Sequence, residues 1–152
     1  MLKLLFFTSI IISYCFAEFI KPEDGTILNY TYIDFHWKQQ PNTSSYRLQV
    51  YDQDSTVVLD QIVDKTLYID YNNFTWNKSY SAFLSIFEND NGHRELSDSI
   101  FFSIAPKISS TDLDLNFINN DLFQEGLIFF SQVSPTLAMV VVDKNGNQIW
   151  NS

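Results

Sequence analysis

Between residues 33 and 104 the apolar side chains return at every second position, in short runs separated by polar turns. Successive side chains of a strand point to opposite faces, so this rhythm demands half-buried strands and is incompatible with the 3.6-residue period of a helix. In residues 30–38, Ile33, Phe35 and Trp37 share one face while Asp34, His36 and Lys38 share the other. Tyr46, Leu48 and Val50 repeat the pattern against Arg47 and Gln49. Residues 56–63 and 66–70 are rich in Val, Ile and Tyr, as strands are. Further on, Ala82, Leu84 and Ile86 oppose Ser81, Phe83, Ser85 and Phe87, and residues 99–104 supply a closing strand. Residues 18–26 add a first strand, broken by Pro22 and turned at Asp24-Gly25. About seven strands spaced roughly 10 residues apart predict a Greek-key β-sandwich. The fold class is all-β.

The loops carry the turn chemistry such a fold needs. Residues 39–45 contain Pro41, Asn42 and two serines, residues 52–55 alternate Asp with polar residues, and residues 88–96 hold Asn91-Gly92, a strong hairpin dipeptide. Phe74 lies six positions before Tyr80, which opens a strand. That spacing is the pattern of a tyrosine corner, whose phenol hydrogen-bonds the preceding turn and pins the crossover between sheets.

The start of the chain reads as an export signal over residues 1–17. Lys3 follows Met1 in a short positive region, residues 4–12 are almost wholly apolar, and Cys15 and Ala17 put small residues where a signal peptidase reads them. The apolar run is well short of the roughly 20 residues that span a bilayer, which disfavours a membrane helix. Tyr14 before Cys15 disfavours a lipid anchor, because bacterial lipoprotein signals place a small residue there. Cleavage after Ala17 removes the only cysteine and leaves a mature chain with no disulfide, its core self-sufficient. It also leaves 8 basic against 18 acidic residues, moving the formal charge from -9 to -10. Scattered basic residues on so acidic a chain argue against nucleic-acid binding. An exported protein, periplasmic or extracellular and free of the membrane after cleavage, is expected.

Phe35-His36-Trp37, residues 46–50, the Phe74 to Tyr80 corner, Asn91-Gly92 and Phe102-Ser103-Ile104 together resemble a fibronectin type III domain of the bacterial extracellular kind. The resemblance covers about residues 19–104, within a sandwich domain placed at 18–104. It departs from the family at Trp76, where a proline is common. It implies a fold and leaves function open, since such domains serve as spacers, adhesins and enzyme appendages.

Residues 105–113, with Pro106 after the closing strand, read as a linker. Residues 114–152 then begin a second β unit. Gly126-Leu127-Ile128-Phe129-Phe130-Ser131 reads as a buried-type strand, and residues 137–143 and 148–151 flank an Asn145-Gly146 hairpin turn. Leu127, Phe129, Val140, Val142 and Trp150 need partners, because so few strands bury too little apolar area to offset their ordering entropy. This tail resembles the opening of a bacterial aryl-sulfate sulfotransferase, in which a sandwich precedes a six-bladed propeller. The family's first blade has a Gly-Leu-x-x-Phe strand, a strand ending in Asp-x-Asn-Gly, and a tryptophan; Gly126 to Phe130 and Val142 to Trp150 follow that order. The resemblance implies a sulfuryl-transfer enzyme whose catalytic histidine lies beyond Ser152, so no residue of this chain receives that role. The tail is expected to be a truncated propeller start, and the partner of the sandwich to be that propeller.

No catalytic, cofactor or metal site is expected within the chain. His36 faces outward on a strand and His93 sits in a polar loop beside Arg94, without a second ligand at metal spacing. Asp143-Lys144-Asn145-Gly146-Asn147 lacks the glycine position and the distal glutamate of a calcium loop. Asp52 with Asp54, and Asp112 with Asp114, read as solvated loop ends rather than as cation or sugar ligands. Sequons at Asn29, Asn42, Asn73 and Asn77 matter only in a eukaryotic secretory pathway. Aromatic residues form 16% of the chain, and Tyr51, Phe83, Phe87 and Phe101 alternate away from the core. They form either a patch that docks another protein surface or a face covered by the tail. Two functions are open: a non-catalytic docking or dimer-forming module of a sulfotransferase-like enzyme, or a cell-surface binding and adhesion module. A complete chain whose tail adds strands to the sandwich is a third arrangement.

Overall fold

The computed structural model describes residues 17–88, 94–108, 126–132 and 138–152. The described residues are all-β. Eight strands form a sandwich: β1 (Phe19–Lys21), β2 (Thr26–Leu28), β3 (Ile33–Trp37), β4 (Thr43–Asp52), β5 (Val57–Val63), β6 (Leu67–Asp70), β7 (Ser79–Glu88) and β8 (Arg94–Ile104). One sheet has the order β1-β3-β6 and the other β2-β8-β7-β4-β5. Neighbours are antiparallel except for β2, which runs parallel to β8 with Thr26 beside Phe102 and Leu28 beside Ile104.

The alternation read from the sequence is the one that packs. Ile33, Phe35 and Trp37 of β3, and Tyr46, Leu48 and Val50 of β4, are each at most 1% exposed. Their intervening neighbours, Asp34, His36, Arg47 and Gln49, are polar and lie on the opposite face, with Arg47 making a forked pair to Asp60 across the β4–β5 ladder. The two sheets meet through aromatic rings. Phe35 lies 5.9 Å from Phe102 and 5.7 Å from Phe74, and Trp37 lies 5.5 Å from Tyr46. Ring pairs at these separations add to the area they bury.

The crossover from β6 to β7 is held by the expected corner. Asp70, itself buried, accepts hydrogen bonds from the Asn72 and Asn73 amides at 2.9 and 2.8 Å, which turns the chain. Phe74 then enters the core against Tyr80, and the Tyr80 hydroxyl accepts from the Thr75 amide at 3.0 Å.

Three features differ from the sequence reading. Strand β2 was absent from it, because three residues after a glycine turn carry no alternation. The strand exists through tertiary grip: the Gly25 amide donates to the Phe101 carbonyl at 2.7 Å, and Asp24 accepts from the Phe101 amide. Strand β4 begins at Thr43, inside the expected loop, because Thr43 and Ser45 find partners in Glu88 and Phe87. Among the described residues, strand β9 (Ile128–Gln132) lies at the end of its sheet, with Phe129 68% exposed, rather than being a buried strand. Asn91-Gly92, the end of the linker and residues 114–121 lie outside the described residues.

In the tail, β10 (Ala138–Val142) is the central strand between β9 and β11 (Gln148–Asn151), all antiparallel. Asp143 to Gly146 makes the β10–β11 turn. Gly146 has φ of 80°, a left-handed conformation that glycine adopts without a Cβ penalty, and its amide donates to the Asp143 carbonyl.

Replacing Tyr80 by Phe leaves the ring in place and strips the Thr75 amide of its acceptor. Urea unfolding should show a loss of about 1–3 kcal/mol with an unchanged m-value.

Candidate functional site

The residues weighed for chemistry do not converge. His36 is half-buried on β3, between Lys21 on β1 and Leu67 on β6. Asp52 closes its own turn, its carboxylate accepting from the amides of Asp54 and Thr56. Among the described residues no group of three His, Cys, Asp or Glu side chains is placed to share a cation. His93, Asp112 and Asp114 lie outside the described residues.

The chain instead builds a junction. Between β2 and β3, residues 29–31 run antiparallel to β11. The Thr31 amide donates to the Ile149 carbonyl, the Asn151 amide donates to the Asn29 carbonyl, both at 2.9 Å, and Tyr30 faces Trp150 as a bridge pair. The tail sheet thus gains a further antiparallel segment from the sandwich. Trp76, on the corner loop, locks the arrangement by donating its indole N–H to the Gln148 carbonyl at 3.0 Å. The Asn151 side chain reaches the Pro106 carbonyl at 3.3 Å. Val140, Val142 and Ile149 are buried, while Leu127 and Phe129 remain exposed.

A cleft of about 420 Å³ opens between the corner loop and the β10–β11 turn. Its sandwich wall carries Tyr71, Asn72 and Trp76, and its tail wall carries Asp143 and Gln148, with Lys107 alongside. Burial pushes the Asp143 carboxyl up, but hydrogen bonds from Asn147 and Asn145 outweigh it and hold the group below the ordinary carboxylate range. The Asn145 and Asn147 amides both donate at 2.8 Å. The Tyr32 phenol is held above its usual value, by burial first and then by the Asp143 charge. Tyr71 packs edge-on against Tyr32 with ring centres 5.1 Å apart. Gln148 is 7% exposed and its side-chain amide nitrogen has no partner among the described residues.

A second feature is the outer face of the five-stranded sheet. Tyr51 and Phe83 meet edge-on at 5.6 Å beside a depression of about 770 Å³ whose other walls include Gln49, Ser81 and Ser85. Ile27, Phe101 and Ile62 extend the face and are 72%, 63% and 64% exposed. None of the described tail strands packs on it; they meet the sandwich at residues 29–31 and at Trp76.

Sequence reasoning passed over Trp76 and Gln148. The one signal available was that Trp76 departs from the proline expected there, a large donor-bearing ring in an otherwise polar turn.

Trp76→Phe should cost about 0.5–1.5 kcal/mol of tail docking. Hydrogen exchange should quicken at Thr31 and Asn151 and stay unchanged at Phe35 and Leu48. Asp143 titrates below its unfolded value, so its contribution is present above the ordinary range and lost as pH falls through the folded pKa. The amide resonances of Asn145 and Asn147 should therefore shift only below about pH 4, and Asp143→Asn should abolish the shift.

No family model matches the chain, and no curated protein matches it. Among solved structures, the chain is similar to the crystal structure of CopC from Methylosinus trichosporium OB3b, with 14% identity and a TM-score of 0.45, over 61% of this chain and 97% of that one.

Proposed function

We propose that this chain is an exported, non-catalytic β-sandwich module of fibronectin type III type that holds and orients a β unit beginning in its own tail, as the N-terminal part of an aryl-sulfate sulfotransferase-like propeller enzyme. The observation that carries this reading is the antiparallel pairing of residues 29–31 with β11, sealed by the bond from Trp76 to Gln148. A sandwich that lends backbone hydrogen bonds to the next sheet fixes that sheet's direction as well as its distance. The three-stranded antiparallel order β11-β10-β9, with its Asp-x-Asn-Gly turn, supports a propeller blade as the unit being held. The strand order and the tyrosine corner support the fibronectin type III assignment. For export, the residue just past the expected cleavage site is already paired in the sandwich: the Lys38 amide donates to the Glu18 carbonyl at 3.0 Å. No helix among the described residues is long and apolar enough to cross a membrane.

A second reading, a surface binding module, draws on the exposed outer face around Phe101, Tyr51 and Phe83. The reading frame past the codon for Ser152 separates the two. Further four-stranded blades with a histidine facing the channel support the enzyme module, whereas further sandwich repeats overturn it in favour of the surface module. Amino-terminal sequencing of the exported product should begin at Glu18; an unprocessed product starting at Met1 would overturn export.

A further inference from the structure

The outer face of the five-stranded sheet differs in charge from the rest of the chain. Among the described side chains, those in its middle are aromatic or hydroxyl-bearing, namely Tyr51, Phe83, Phe101, Ser81 and Ser85. Its ionised groups are already paired. Arg47 forks onto Asp60, Gln49 donates its side-chain amide to the same carboxylate at 3.1 Å, and Asp52, at the rim, lies 4.0 Å from Lys78. The chain as a whole carries a formal charge of -9. Two copies therefore repel each other across most of their surface, and this face is where they can meet without that cost.

The register makes the face fit itself. Tyr51 of β4 and Phe101 of β8 both stand opposite Ser81 of β7. The two side chains thus flank β7 at one level, each about one strand spacing, ~4.8 Å, to its side. Phe101 is 63% exposed and projects, whereas Tyr51 packs on Phe83 beside the depression of about 770 Å³. A two-fold interface uses one patch for both halves, so it needs a projection and a recess placed symmetrically about its axis. With the axis running along β7 between two stacked sheets, β8 of one copy lies over β4 of the other. Each Phe101 then enters the partner's recess.

The size is also adequate. Strands β4, β7 and β8 have 10, 10 and 11 residues. With their shorter neighbours they offer a face of about 30 Å by 20 Å, or roughly 600 Å², on the order of the ~800 Å² that a standard interface takes from each partner.

We propose that a second copy of this chain docks on this face, making a two-fold dimer in which Phe101 of each protomer packs beside the partner's Tyr51 and the partner's Phe83. The inference rests on the sandwich alone and is independent of the sulfotransferase reading.

The test is sedimentation equilibrium of the full chain across micromolar concentrations, which should give twice the chain mass. Added salt should tighten the association, because screening relieves the repulsion between two acidic copies. Phe101→Lys and Tyr51→Asp should each weaken it about tenfold or more, with circular dichroism showing both variants folded. An equimolar mixture of the two should dimerise again, since one Lys–Asp pair and one intact contact then form across the axis. Phe129→Ser, on the tail sheet, should leave the dimer as it was. A chain that stays monomeric at every concentration overturns the proposal, and leaves the face to a different partner. So does a dimer lost with Phe129→Ser but kept with Phe101→Lys, or a mixture of two folded variants that stays monomeric. Should Tyr51→Asp unfold, Phe101→Lys alone decides, because its ring lies outside the core.

Discussion

Contact between Phe35 and the rings of Phe74 and Phe102 joins the two sheets, and the rest of the structure depends on it. With one cysteine in the sequence, no disulfide within the chain can share the load. A sandwich of this size must instead bury large side chains at its centre, and aromatic rings bury the most area per residue ordered. Tyr80 stacks on Phe102 at 5.4 Å and sends its hydroxyl to the corner loop, so the same core contact positions that loop. Trp76 stands on the loop, and its bond to Gln148 is how the core's geometry reaches the tail.

The sandwich was legible because its information is local. Alternation at Ile33, Phe35 and Trp37 needs no knowledge of what lies opposite, and the Phe74 to Tyr80 spacing carries its own geometry. What the sequence concealed is all non-local. Strand β2 is held by its grip on β8, the start of β4 by its pairing with β7, and residues 29–31 by a strand from the far end of the chain. The cleft was invisible for the same reason. Tyr71 and Asn72 belong to one unremarkable polar stretch and Gln148 to another, and only folding shows that Gln148 has a buried donor left unpaired.

Asp143 illustrates how one residue type serves two readings. In sequence, Asp143 to Asn147 has the oxygen-rich look of a cation loop. In the structure its carboxylate is consumed by the amides of its own turn, which makes it a fastener of the hairpin. The exposed rings of Phe101 and Phe129 lie in different places, one on the sandwich's outer sheet face and the other on the tail's end strand, so they belong to separate surfaces.

The pairing of residues 29–31 with β11 also sets an order of events. It joins segments separated by nearly the whole described chain, and the entropy of closing so long a loop is repaid only once everything between is in place. The sandwich therefore forms around a segment whose outer backbone groups wait for β11 to dock. An open strand edge invites pairing with whatever arrives first, including another chain. Here the strand that closes the edge belongs to the same polypeptide and is tethered to the sandwich, so it reaches the edge at a higher effective concentration than another chain does.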